Sequence, residues 1–270
     1  MAFKDLLVHL DSGARTPQRI DLAFAVARKF GGRVTGMFAE IDTLGSSLVG
    51  RRTPELMERA AEEGRRGLEA AAGRAGIAAT WWRLEPGDAR HVEDLATVCC
   101  RYVDLAIFGQ HDPKAALLPE DFVEEVLLGC GRPVLVVPAF GHFADAGNRV
   151  VIAWDGSREA SRAVHDALPF LRGARTVTLM AFQRPATGAA PALPDLDIAA
   201  HLKAHGVAAK YERVLVDELG VADLLLNRCS DEQADLIVMG ARARAGLPAR
   251  RADGFHEILR SMTAPVLFSC

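Results

Sequence analysis

Short apolar runs alternate along the chain with longer stretches in which apolar positions recur every three or four residues. The first kind reads as strands buried on both faces of a parallel sheet, the second as amphipathic helices. A strand over 6–10 ends at Asp11-Ser12-Gly13, and a helix over 16–30 follows, with Ile20, Leu22, Ala23, Val26, Ala27 and Phe30 on its inner side. The series continues with a strand over 34–39, a charged helix over 55–76 closed by Gly76, and a strand over 78–84. A helix over 91–101, a strand over 105–108, a helix over 121–128 and a strand over 133–138 complete it.

Residues 139–148 lack periodicity and read as a linker. The pattern then restarts: strand 150–154 ends at Asp155-Gly156-Ser157, and helix 159–171, strand 176–182 and a Pro/Ala-rich loop over 183–194 follow. Helix 196–205, strand 208–214, helix 221–233, strand 236–239, helix 254–262 and strand 265–269 finish the second series. The halves match element by element, Asp11 with Asp155, Gly109 with Gly240 and Arg132-Pro133-Val134 with Ala264-Pro265-Val266, so the chain is an internal duplication of a long α/β unit. Five strands alternating with helices, twice over, predict two tandem doubly wound parallel sheets, with domains over 1–140 and 149–270.

Composition narrows the function classes. The net charge of −3 over 270 residues implies neither a nucleic-acid coat nor a polybasic membrane anchor. No apolar run approaches a membrane span and the N-terminus lacks the pattern of a signal peptide, so a cytoplasmic protein is expected. The cysteines Cys99, Cys100, Cys130, Cys229 and Cys270 are odd in number without CxxC spacing, which suggests reduced, packed thiols.

The most informative stretch is ADLIVMGARARAGLPARR, residues 234–251, where a buried strand ends at Gly240 and delivers the chain into a loop carrying Arg242, Arg244, Arg250 and Arg251. Ligands of open α/β sheets sit beyond the carboxyl ends of the strands. These arginines either contact phosphate or form a basic loop that is solvated or paired with acidic residues across the domain interface. Asp155 is either a ligand residue or a turn and helix-cap residue, and Asp11 with Ser12 is expected to be the cap.

VVIAWDGSREASRAV opening the second half, with ADLIVMGARARAG and MTAPVLFS closing it, resembles the universal stress proteins in tandem form. That resemblance covers nearly the whole chain. It implies strand order 3-2-1-4-5 in each unit and a pseudo-two-fold between the units, an internal pseudo-dimer that leaves a homodimer of the chain open. In nucleotide-binding members of the family, the aspartate after the first strand and a residue near the end of the second contact the nucleoside. These correspond to Asp155 and Phe182. Phosphates lie on a loop of pattern Gly, two residues, Gly, nine residues, then Gly-Ser or Gly-Thr, whose glycines admit backbone N–H groups close to oxygen. Gly240 is present here, but Ala243 stands at the second glycine and Asp253-Gly254 at the last pair. In the first half Gly109 is followed by Asp112, Pro113, Pro119, Glu120 and Asp121, a set unfit for an anion.

The resemblance therefore implies a protein acting through unknown protein partners, with ATP or another adenine nucleotide as cofactor of the second domain, or a nucleotide-independent interaction module. A slow nucleotide hydrolase is the enzyme alternative. No paired general base and metal-binding carboxylates surround the loop, so no enzyme is expected. His201 and His205 stand four apart on one helix face, but without an HExxH glutamate or a third ligand they read as surface histidines, and no metal is expected. Trp81 and Trp82 are expected to pack on a helix. Glu58, Glu62, Glu63, Arg65 and Arg66 are expected to line an exposed face with local ion pairs.

Overall fold

The computed structural model describes residues 2–41, 53–85, 87–112, 118–183, 197–216, 220–242 and 254–270. The chain divides into two compact units, Met1–Asp145 and Ala146–Cys270. In the first, strands β1 (Asp5–Leu10), β2 (Arg33–Phe38), β3 (Ala79–Arg83), β4 (Leu105–Gly109) and β5 (Val134–Val137) alternate with helices α1 (Thr16–Phe30), α2 (Pro54–Ala75), α3 (Ala89–Cys100) and α4 (Phe122–Cys130). Every pairing is parallel, in the order β3-β2-β1-β4-β5.

The second unit contains β6 (Arg149–Trp154), α5 (Arg158–Gly173), β7 (Thr176–Gln183), α6 (Ile198–Ala204), β8 (Ala209–Leu215), α7 (Val221–Asp231), β9 (Leu236–Gly240), α8 (Gly254–Ser261) and β10 (Val266–Ser269). Its parallel order is β8-β7-β6-β9-β10. Both units thus have the expected 3-2-1-4-5 order, with element ends within about two residues of those read from the sequence.

The order follows from side-chain chemistry. β1, β4, β6 and β9 carry the apolar runs and are buried along most of their length. β3 and β8 close the outer edges with mixed or exposed positions, as an edge facing water requires. Large side chains such as Phe108, Phe122, Phe170, Phe255 and Phe268 are fully buried, each contributing about 1.5–3 kcal/mol relative to exposure.

Helix ends are set locally. The Thr53 hydroxyl accepts from Leu56 N at the start of α2, and Gly76 ends that helix at φ 65°, a conformation that favours glycine. Trp81 lies beside Phe38, with ring centroids 6.2 Å apart, and against Gly64 of α2, so it packs on a helix. Arg65 pairs with Glu62 at 2.8 Å and with Glu69 at 2.6 Å, as the exposed face predicts, whereas Glu58 reaches across to Arg83. Cys100 is buried and Cys99 partly exposed. Among the described residues no helix is long and apolar enough to cross a membrane.

Candidate functional site

Because β1 lies beside β4, and β6 beside β9, each unit has a switch point where the first and fourth strand ends converge. In the first unit that crevice is filled from within. Asp11 Oδ1 accepts from Gly13 N at 2.8 Å and from the Thr16 hydroxyl at 2.6 Å. Its Oδ2 receives Arg19 Nη2 at 2.7 Å, with both side chains nearly buried. Arg19 also donates through Nε to His9 O at 3.0 Å and through Nη2 to the Thr16 hydroxyl at 2.9 Å, and its guanidinium covers the space next to Gly109. Burial acts to raise the Asp11 pKa, but Arg19 and the hydrogen-bond donors outweigh it and hold the carboxyl well below the usual range.

Asp11 is therefore a turn residue and an ion-pair partner, not the cap: the N-cap position of α1 is Arg15, which makes no side-chain cap bond. Beside it, His9 stacks on Phe108 with centroids 5.4 Å apart and bonds Ala39 O at 2.9 Å. Burial lowers its pKa to about 4. Beside Gly109 a cavity of only about 70 Å³ is left, lined by Asp11, Arg19, Gly109, Asp112 and Phe122, well below the roughly 300–1,000 Å³ of ligand clefts, while a second cavity of about 300 Å³ lies between α1 and α2, lined by Asp11, Ser12, Thr16, Ile20, Glu63 and Arg74.

The second unit differs at one decisive position. Arg19 stands eight residues beyond Asp11, whereas the matching place beyond Asp155 is Ala163, a small buried side chain that cannot reach back. Asp155 remains 55% exposed. Its Oδ1 accepts from Ser157 N at 2.9 Å, forming the turn, while Ser157 caps α5 by accepting from Ala160 N at 3.1 Å. Turn and cap are thus separate residues, and Asp155 Oδ2 points towards Arg242 Nη2 at 4.0 Å.

Arg242 also approaches Glu159 Oε2 with Nε at 3.5 Å, so its acidic neighbours include two from its own unit. Glu159, in the first turn of α5, is held below the usual carboxylate range by its own backbone N–H and by the charges of Arg242 and Arg158. Arg244, Arg250, Arg251 and Ala243 lie outside the described residues.

Gly240 ends β9 directly under the start of α5. A Cβ there would lie 2.5 Å from Ala160 N and from the Glu159 carbonyl carbon, so helix-strand packing alone demands glycine. Gly254 opens α8, and a Cβ there would meet Val221 at 3.5 Å and Met239 at 3.6 Å, which is ordinary contact. Phe182 sits near the end of β7, half-buried, one residue beyond the Trp154–Ala181 pair. The fold therefore gathers Asp155, Gly240 and Arg242 at one switch point and adds Glu159, whose part was not read from the sequence.

A second constellation lies away from the crevice. His201 and His205 are joined by His165 of α5, a third imidazole for which the sequence offers no local signal.

No protein-family model matches the chain, and no curated protein matches it in sequence. Solved structures do. A universal stress protein from Archaeoglobus fulgidus DSM 4304 superposes with a TM-score of 0.70 at 18% identity, over 98% of this chain and 97% of that one. A protein of unknown function from Pseudomonas aeruginosa PAO1 gives 0.61 at 15% identity, over 99% and 92%. A candidate universal stress protein from Pseudomonas aeruginosa UCBPP-PA14 gives 0.60 at 16%, over 99% and 93%. The chain has the fold of the universal stress proteins along its whole length.

Proposed function

We propose that the chain is a tandem universal stress protein that acts in stress response by binding, without a catalytic cycle of its own, and that the crevice of its second unit takes an adenine nucleotide. The observation that carries this reading is the contrast between the two aspartates: Asp11 is locked by Arg19, while Asp155 stays half-exposed at its switch point with Arg242 alongside. An ionised aspartate only accepts hydrogen bonds, which suits ribose hydroxyls. Arg242, with Arg244, Arg250 and Arg251 following in sequence, supplies charge-assisted donors for phosphate where the family's glycines are missing. Glu159 faces the same arginine and disfavours a phosphate against the start of α5. A cytoplasmic location completes the reading, supported by cysteines that stand as thiols and not in disulfides and by a near-neutral net charge.

The pairing of Arg242 with Asp155 and Glu159 favours a second reading, in which the crevice is closed on itself and the protein is a nucleotide-independent interaction module. Calorimetric titration of nucleotide-stripped protein with ATP, ADP and AMP separates the two. The nucleotide reading expects saturable binding at one site per chain, weakened in Asp155→Ala and in Arg242→Ala and unchanged in Cys99→Ser. Absence of heat with all three nucleotides, in protein shown to be folded, leaves the interaction module.

A further inference from the structure

The most chemically specific cluster outside the crevices consists of imidazoles. His201 lies in the middle of α6 and His205, one turn on, is its C-cap, and His165 reaches them from the middle of α5, 36 residues before His201. One coordinating nitrogen of each ring lies within 4.8 Å of the others. Ring centroids are 4.7 Å apart for His201 and His205, 5.1 Å for His165 and His201, and 6.3 Å for His165 and His205. His165 Nε2 and His201 Nε2 are 3.2 Å apart. Two nitrogens bound to one tetrahedral ion at about 2.0–2.1 Å stand about 3.3 Å from each other, so this pair already has the separation of two ligands on a shared ion.

Orientation agrees with distance. His165 Nδ1 lies 2.8 Å from Ser161 O, and since a carbonyl only accepts, that nitrogen carries the hydrogen. The lone pair of the neutral ring is then on Nε2, the atom that faces His201. A ring N–H held by a backbone carbonyl is the usual device that orients a metal-ligating histidine. Arg172 Nε donates to His205 O at 3.0 Å and docks the end of α6 on α5.

We propose that His165, His201 and His205 form a binding site for a borderline divalent transition-metal ion, Zn²⁺ in the first instance, with three imidazole nitrogens as ligands and the remaining position open to water. Among the described residues no carboxylate or thiol joins the cluster, so its donor set suits imidazole-seeking ions and not the oxygen-seeking Mg²⁺ or Ca²⁺. The ion ties α6, a helix of seven residues, to the long helix α5. A helix that short has little stability of its own, so the metal decides how firmly it is held.

The test titrates metal-free, tagless full-length protein with Zn²⁺ against a chelating indicator, and repeats it with Co²⁺, whose visible spectrum reports coordination. One saturable equivalent is expected, together with a rise in thermal midpoint. His165→Gln, His201→Gln and His205→Gln should each weaken binding roughly tenfold or more and abolish the midpoint rise. The metal-free far-UV spectrum should not change, because the rings lie at the surface. His142→Gln and Cys99→Ser should bind as the parent does. No saturable binding by the parent protein, or affinity retained in the three cluster variants, overturns the proposal.

Discussion

Arg19 lies on the apolar side of α1, 5% exposed, where its guanidinium meets the Asp11 carboxylate, the His9 carbonyl and the Thr16 hydroxyl. Removing one partner of such a pair leaves the other charged and buried, at a cost of about 3–5 kcal/mol. Arg19→Met should lose about that much stability in urea unfolding, and the double variant Arg19→Met/Asp11→Leu should recover most of it. A double variant as unstable as the single one would show that Asp11 is not the group left stranded. His9 gives the same pocket a pH dependence. Its folded pKa of about 4 lies below the 6.5 of the unfolded chain, so between these values the unfolded chain takes up a proton that the folded one refuses. Stability therefore falls as pH drops through that window, by up to about 3 kcal/mol. Asp11, with its pKa depressed, contributes stability that is present above its unfolded value near 3.8 and is lost as pH falls further. Unfolding free energies at pH 7 and 4.5 should show a shallower dependence in His9→Gln; parallel dependences would remove His9 as the cause.

At the scale of elements, the contact between β9 and the first turn of α5 fixes how open the second crevice is. Gly240→Ala forces a methyl group to within 2.5 Å of backbone atoms that cannot rotate away, and should cost about 1–3 kcal/mol. Gly254→Ala meets only ordinary contacts and should leave stability nearly unchanged. Thermal or urea unfolding of the pair checks this, and equal losses would contradict it. These glycines also show what was legible. The apolar runs and caps placed every described strand and helix, because the period of burial is written locally. Gly240 was read through a phosphate loop, and its packing role needed the position of α5. Arg19 was passed over because an arginine within a helix normally snorkels to water, and only the fold shows that its nearest acceptors lie inward. His165 escaped for a like reason: contact with His201 depends on how α6 docks on α5, which no spacing along the chain expresses.

At the scale of the molecule, duplication has given two units of one topology whose equivalent crevices differ. The first carries its own side chain where a ligand would otherwise sit; the second has alanine there. A bound small molecule stabilises the state that holds it in proportion to the logarithm of its concentration, whereas a tethered side chain is always at saturation. Hydrogen exchange in residues 1–145 should therefore be indifferent to added nucleotide, while protection around β6, β9 and the start of α5 should rise with it. Protection that rises equally in both units would contradict this. If the second crevice takes a nucleotide as proposed, the Arg19 side chain would act as a built-in reference: half of the chain would keep a constant local stability across metabolic conditions, and the other half would record them against it.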